Sequence, residues 1–376
     1  MSNALSHSEV SSATALVIGA SGQDGYFLTQ RLLEEDWTVH AVVRESERLT
    51  PLLSNSTARD RLRVHTAELT SAESLFDLIA RARPVEIYNL ASQSSVSRSF
   101  ADPLLTWRTN ADFVALLLEC VRVETPHSRL YQASSTDMFG GGDNGTLLCN
   151  EDSALNPQSP YASAKAAAHL LCRSYREDYN LRIACGILSN HESHRRRGHF
   201  LTRKVADHVR SLRGLKPDEQ TRTPPLKMGN LKIRRDWGFA PDYVEGMRLI
   251  LRQIKVRAAL TARADLLEEN KAPMVDEGRA YRDYVLGTGQ THAVWELVDT
   301  AFRLIGFDLE WSLEGDDPRR WQAHFCSSGK LAVEVNPLLL RPADPFIIEV
   351  DSSRARRELG WSPREGLEIF LTDMLV

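Results

Sequence analysis

The chain has 376 residues, of which 42% are hydrophobic and 26% charged, with a formal net charge of −4. That length holds one large or two moderate domains around a substantial core, and the charge balance gives no electrostatic reason to expect nucleic acid. No apolar stretch approaches the roughly 20 residues that span a bilayer, so no membrane partner is expected. The five cysteines, Cys120, Cys149, Cys172, Cys185 and Cys326, are odd in number and widely spaced. They form neither a zinc-ligand pattern nor a disulfide framework, which predicts no metal and a reducing, cytoplasmic setting. Residues 1–12 are Ser-rich, lack a signal-peptide apolar core and read as a disordered tail.

Ala13 to Ile18 is an apolar run rich in β-branched residues, followed by Gly19-Ala20-Ser21-Gly22-Gln23-Asp24-Gly25 and a helical pattern through Phe27, Leu28, Leu32 and Leu33. Strand, glycine turn and helix in that order predict a dinucleotide site: glycines admit a pyrophosphate, and the helix amino terminus offers oriented N–H groups. Gly19, Gly22, Gln23, Asp24 and Gly25 are therefore cofactor-binding candidates. Their G-x-x-G-x-x-G spacing resembles the short-chain dehydrogenase/reductase superfamily. The next strand, Thr38 to Val43, ends in Arg44, whose guanidinium suits a 2′-phosphate. NADP is expected on that ground, with NAD as the alternative because Glu45 follows directly.

A helical pattern around Ser71 to Ala82 leads to a strand at Val85 to Leu90. A helix from about Asn110 to Val123, a strand from Leu130 to Ser134, a helix opened by Tyr161 and a strand from Arg182 to Leu188 complete the alternation. It predicts an α/β fold, a Rossmann-like doubly wound parallel sheet with helices on both faces. Ligands then bind beyond the carboxyl ends of the strands, where Gly19, Ala91, Ser135 and Asn190 fall. After Asn190 the rhythm breaks. Gly214 to Lys227 and Lys255 to Arg282 read as insertions or loops, although Ala258 to Asn270 has the pattern of an amphipathic helix. Order returns with a strand at Tyr284 to Gly287, a helix from His292 to Ile305 and a last helix after Trp361-Ser362-Pro363. Residues 13–189 are expected to form the cofactor-binding Rossmann domain with the catalytic residues. Residues 190–376 mainly form a smaller, discontinuous substrate-binding domain, with segments returning to the first.

Tyr161-Ala162-Ser163-Ala164-Lys165 carries the chemistry. On a helix Tyr161 and Lys165 share a face, and a cation near a phenol favours phenolate, which turns a group of ordinary pKa about 10 into a usable base. Ser135, in Ser134-Ser135-Thr136-Asp137-Met138-Phe139-Gly140, is placed to share the proton.

Together with Ile87-Tyr88-Asn89-Leu90-Ala91-Ser92-Gln93-Ser94, Asn190-His191-Glu192-Ser193, Arg235-Asp236-Trp237-Gly238 and Gly360-Trp361, these residues give a pattern covering nearly the whole chain. It resembles the extended short-chain dehydrogenases and, within them, the GDP-mannose 4,6-dehydratase family. The resemblance implies a redox cycle on a GDP-linked hexose. Tyr161, assisted by Ser135 and Lys165, takes the proton of the 4-hydroxyl, a carboxylate removes the C5 proton, water leaves C6, and a 4-keto-6-deoxy sugar results. Where the family has glutamate as that base, this chain has Asp137, shorter by one methylene. The resemblance further assigns Leu69, Leu90, Ala91, His191 and Arg195 to the cofactor, with Glu68 near its adenine. It assigns Ser94, Thr136, Asn190 and Lys204 to the substrate, Arg235 and Arg341 to its diphosphate and Asp344 to its ribose. The loop after His191 reaches a neighbouring subunit in relatives, so a homo-oligomer, dimer or tetramer, is implied. His194 and His199 in that loop read as solvated. A 4-ketoreductase or epimerase, which needs no C5 base, and a catalytically silent nucleotide-sugar-binding homologue are the alternatives.

Overall fold

The computed structural model describes residues 13–54, 59–66, 72–140, 146–215, 223–254, 280–340 and 347–376. Seven parallel strands form the central sheet: β1 (Thr14–Ile18), β2 (Thr38–Val43), β3 (Leu62–Thr66), β4 (Glu86–Asn89), β5 (Arg129–Ser135), β7 (Arg182–Leu188) and β11 (Tyr284–Leu286). Their order is β3-β2-β1-β4-β5-β7-β11. The order reverses at β1, which pairs with β2 on one side and β4 on the other, so the loops after β1 and β4 diverge and open a crevice. The chain enters that crevice at Gly19 and Leu90.

Helices sheath both faces. On one lie α2 (Ala72–Ala82), α3 (Phe113–Glu124) and α4 (Pro160–Asp178), which bury Leu78, Leu117, Leu118 and Cys172 against Leu16, Ile18, Ile87 and Ile183. On the other, α1 (Gln23–Glu34) packs beside α6 (Ala240–Leu251), so a helix from the second half of the chain closes the first half's core through Tyr243, Met247 and Ile250. The apolar periodicity of α1 through Leu28, Leu32 and Leu33 places those residues inward.

The remaining strands form three small sheets. Strand β8 (Asn190–Glu192) runs parallel to β10 (Arg234–Phe239), which pairs antiparallel with β12 (Thr291–Ala293). Strands β9 (Leu226–Met228), β13 (Leu309–Ser312), β14 (Gln322–Phe325) and β15 (Leu331–Val335) make a second sheet. Helices α5 (Leu201–Leu212), α7 (Val294–Arg303) and α9 (Leu367–Leu375) share a separate core with it, built on Trp237, Phe302, Phe325 and Phe370. Strand β6 (Thr146–Cys149) pairs with β16 (Ile347–Val350), and α8 (Ser353–Leu359) returns to the Rossmann core through Leu359 and Trp361.

The expected strands and helices of the first half are present, with ends moved by one or two residues. The helix expected from Asn110 begins instead with a π-helical turn at Arg108–Asp112. The expected helix from His292 starts two residues later because Thr291–Ala293 pairs with β10. Ala258 to Asn270 and the inner parts of both expected insertions lie outside the described residues. Among the described residues no helix is long and apolar enough to cross a membrane.

Candidate active site

The turn after β1 is built for close approach. Gly19 has φ +88°, and a Cβ there would lie 2.8 Å from the Ala91 nitrogen, while a Cβ on Gly25 would lie 2.3 Å from the Gly19 carbonyl oxygen. Only glycine lets β1, α1 and the Leu90–Ala91 loop meet this tightly. Gly22 is the N-cap of α1 and brings no side chain to its first N–H groups. These amides and the helix dipole fit a nucleotide diphosphate. The side chains of the motif have another task. Gln23 donates to the His191 carbonyl at 2.9 Å and accepts from Ser193 at 2.9 Å. Asp24 meets His191 Nε2 at 3.0 Å, and His191 Nδ1 lies 2.8 Å from the Ser189 carbonyl. Both imidazole nitrogens thus face acceptors, which calls for the doubly protonated ring. Burial works against both charges, yet the pairing prevails: the Asp24 carboxyl is held below its ordinary value and His191 above its own. Tyr243 stacks on that imidazole at 4.4 Å.

The helix that carries Tyr161 and Lys165 starts where the Ser159 hydroxyl accepts the Ala162 N–H at 3.1 Å and Pro160 occupies the first turn, followed by an alanine-rich run that favours helix. It presents Tyr161, Lys165, His169, Cys172 and Arg176 to the interior, a spacing of one helical turn each. Three consecutive residues of β5 meet this face. Lys165 Nζ donates to the Ala133 carbonyl at 2.9 Å, Ser134 Oγ lies 3.1 Å from His169 Nδ1, and Ser135 hydrogen-bonds the Tyr161 phenol. Ser135 also accepts the Asp137 N–H at 3.2 Å, capping the turn Thr136–Phe139. Thr136 is buried and Asp137 half-buried.

The electrostatics depart from the expectation. Burial raises the Tyr161 phenol and the Asp137 carboxylate raises it further, while the Ser135 hydrogen bond and Arg196 pull the other way without prevailing. Lys165 stands 5.9 Å from the ring centroid but commits its hydrogen bond to the backbone. Burial lowers the Lys165 ammonium to about 8. The i, i+4 spacing therefore brings the pair together, while burial opposes ionisation of the phenol.

Leu90 is half-buried, Ala91 buried and Ser94 exposed on the loop after β4. Asn110, which the sequence reading passed over, holds that loop: its Oδ1 accepts the Gln93 N–H at 2.9 Å and the Ser92 hydroxyl at 3.1 Å, and its Nδ2 donates to Gln93 O at 3.0 Å. Nothing in the sequence marks it, since it is one polar residue among several in the turn Arg108–Asp112. Asn190 lies on β8 opposite Trp237. Arg195 stacks on Tyr26 at 3.5 Å and donates to the Arg48 carbonyl, and Arg48 returns the bond to Arg195 O. A cleft of about 500 Å³ lies there, lined by Arg48, Arg195, Arg196, Arg197, His199 and Arg203. His194 is tied to Asp373 at 2.9 Å, so it is not merely solvated. Lys204, on α5, donates to the Lys227 carbonyl at 2.5 Å, and Arg235, on β10, to the Arg234 carbonyl at 2.7 Å. In the same motif Asp236 is buried and holds the turn after β11, accepting from Thr288 at 2.8 Å and Gly289 at 2.9 Å. Glu68, Leu69, Arg341 and Asp344 lie outside the described residues.

Compared with known proteins, residues 16–272 and 272–374 match the model of the GDP-mannose 4,6 dehydratase family. The chain is 36% identical over 365 residues to GDP-mannose 4,6 dehydratase 2 of Arabidopsis thaliana, covering 94% of this chain and 83% of that protein. It is 32% identical over 370 residues to the GDP-mannose 4,6 dehydratase of Drosophila melanogaster, covering 96% and 85%. The chain belongs to the GDP-mannose 4,6-dehydratase family. Its fold is shared more widely: a dTDP-glucose 4,6-dehydratase from Bacillus anthracis in complex with NAD matches with TM-score 0.71 at 18% identity, over 97% of this chain and 96% of that one. A UDP-glucose 4-epimerase from Stenotrophomonas maltophila with bound NAD matches with TM-score 0.72 at 19% identity, over 96% and 97%.

These neighbours correct the expectation of NADP. Four of the solved structures of this fold are described with NAD and one with NADPH. The physical weakness of the expectation is visible at Arg44, which is exposed at the end of β2 with Glu45 exposed beside it. An exposed guanidinium is a solvated side chain first, and its position in the sequence does not select a 2′-phosphate.

Proposed function

We propose that this protein is a nucleotide-sugar 4,6-dehydratase that converts a GDP-hexose such as GDP-mannose to its 4-keto-6-deoxy form. The observation that carries the reading is the adjacency of two groups at the carboxyl end of β5. Ser135 engages the Tyr161 phenol, and the Asp137 carboxylate bears on that same phenol. An oxidation centre with a carboxylate beside it is what elimination across C5 and C6 requires, whereas a ketoreductase needs only the first.

Gly19, Gly22 and Gly25 with the amides of α1 would hold the dinucleotide, and Leu90, Ala91, His191 and Arg195 stand around that turn. NAD is the reading we adopt, and the four solved structures of this fold described with NAD support it. NAD supplies hydride uptake and return when bound. The protein's own part is acid–base and positional. Ser135 orients the 4-hydroxyl proton toward Tyr161, and Lys165 keeps positive charge beneath the phenol. Asp137 takes the C5 proton once C4 is a ketone, and Thr136 lies next to it to donate toward the departing 6-hydroxyl. Ser94 and Asn190 flank the sugar, and Lys204 and Arg235 offer cationic groups to the diphosphate.

A homo-oligomer is part of the proposal. Phe100, Leu104 and Trp107 leave 63%, 70% and 43% of their surface exposed on the two consecutive short helices Val96–Ala101 and Pro103–Trp107, and large apolar side chains exposed so near one another in the chain suit a surface that a second subunit covers. Four of the five free cysteines are buried, in keeping with work in a reducing cytoplasm.

Incubation with GDP-mannose in deuterated water, followed by mass spectrometry, tests the function. Loss of water with one deuterium gained at C5 is expected. Intact GDP-mannose, together with NADH consumption on a 4-keto sugar, would make the protein a reductase.

A further inference from the structure

Directly behind the catalytic residues lies a buried polar node that the reaction as described does not use. His169 is 8% exposed, and its Nδ1 reaches Ser134 Oγ at 3.1 Å. Its Nε2 faces Asp283 Oδ2 at 3.8 Å. Asp283 is gripped by both terminal nitrogens of Arg176, at 2.7 and 2.9 Å, and accepts the Cys185 N–H at 2.7 Å. Arg176 donates in turn to the Ile183 carbonyl at 3.2 Å. His169, Cys185 and Asp283 each offer a ligand atom within 4.8 Å of the others, but the bidentate arginine already neutralises the carboxylate. The cluster is therefore a hydrogen-bonded anchor. It joins α4, β5, β7 and the start of β11 at one point.

Ser134 stands between Ala133, which holds Lys165, and Ser135, which holds Tyr161. The end of β5 is thus clipped to three successive turns of one helix. We propose that His169 is a positioning residue: standing beside the Asp283–Arg176 pair, it fixes Ser134 and thereby sets where Ser135 and the Asp137 turn stand relative to Tyr161 and Lys165. Without the middle clip the strand end can shift against the helix. A shift of about an ångström in a reacting pair can lower the rate by about 10²-fold.

The rate readout rests on the dehydratase reading, while the exchange readout rests on geometry alone. His169→Ala is expected to lower kcat about 10- to 100-fold with KM within about twofold, and to speed backbone amide exchange in residues 133–139 while leaving β1 unchanged. His169→Asn keeps a polar atom near the Nδ1 position and is expected to recover most of kcat. Ser134→Ala removes the clip without touching the buried ion pair, so it carries the test should His169→Ala fail to fold. It is expected to reproduce the loss, and the double variant to be no worse than His169→Ala alone. Wild-type kcat and unchanged exchange in His169→Ala would overturn the proposal. So would a lowered melting temperature with kcat intact, or a loss that His169→Asn does not repair and Ser134→Ala does not share. Faster exchange in the variant of a protein that turns over no nucleotide sugar would leave the positioning role standing and remove the dehydratase reading.

Discussion

Tyr161 sits in surroundings that resist its ionisation, and the group whose charge titrates within the working range is the neighbouring lysine. With Lys165 brought down to about 8 by burial, its ammonium is complete below that value and is lost above it, well short of the ordinary value near 10.4. The rate profile is therefore expected to fall on the alkaline side with a midpoint near 8. An alkaline limb appearing only near the ordinary lysine value would show that the ammonium is not so depressed when the enzyme works. Asp137 can be tested separately. Asp137→Asn is expected to lose about 10²- to 10⁴-fold in C5 proton exchange while cofactor binding, followed by fluorescence, stays unchanged. Asp137→Glu, which restores the family's residue, is expected to retain exchange. The pairing of Tyr161 with Lys165 was readable from their spacing because a helix repeats every 3.6 residues. That Lys165 spends its hydrogen bond on Ala133 was not, because that carbonyl belongs to a strand remote in sequence.

At the scale of elements, two junctions carry the site. The first is the turn between β1 and α1. Gly25→Ala would set a Cβ 2.3 Å from the Gly19 carbonyl oxygen, so the turn must open. We expect cofactor affinity to fall by at least tenfold by titration, with the far sheet in which β9 pairs with β15 unchanged in its exchange. The second is the clasp between α1 and β8, made by Asp24 and His191. The raised His191 contributes stability in full below its unfolded value near 6.5 and loses it as pH rises through its higher folded value. The lowered Asp24 contributes above about 3.9 and loses it as pH falls through its lower folded value. The clasp thus holds from mildly acid pH up towards neutrality. Thermal melts of the protein and its Asp24→Asn variant are expected to differ most near pH 5 to 6 and to converge at higher pH; a gap independent of pH would show that the pair is not ionised. The sequence marked Gln23, Asp24 and His191 as site residues, and their side chains prove to join α1 to a segment more than 160 residues away.

For the whole molecule, the exposed apolar segment is the feature with a consequence for assembly. Leu104→Glu combined with Trp107→Glu is expected to shift the protein to a smaller species by sedimentation without altering its melting temperature by more than a few degrees. An unchanged species would move the interface elsewhere. The core of the parallel sheet was legible because β1, β2, β4, β5 and β7 are local apolar runs alternating with local helical patterns, and right-handed crossovers leave few ways to arrange them; β3, Leu62–Thr66, was missed because its run Leu-Arg-Val-His-Thr is half polar and becomes a strand only by pairing with β2. The glycine turn and the shared helix face of Tyr161 and Lys165 were legible for the same reason, since each depends on spacing within one local segment. The cofactor was misread because one exposed arginine was taken for a phosphate site. Strands β8, β10 and β12, the use of Asp236 to hold a turn, the loop clamp at Asn110 and the anchor at His169 were decided only by tertiary structure. Each joins residues far apart in the chain, and a short polar segment acquires a structure only when a partner supplies the hydrogen bonds it lacks.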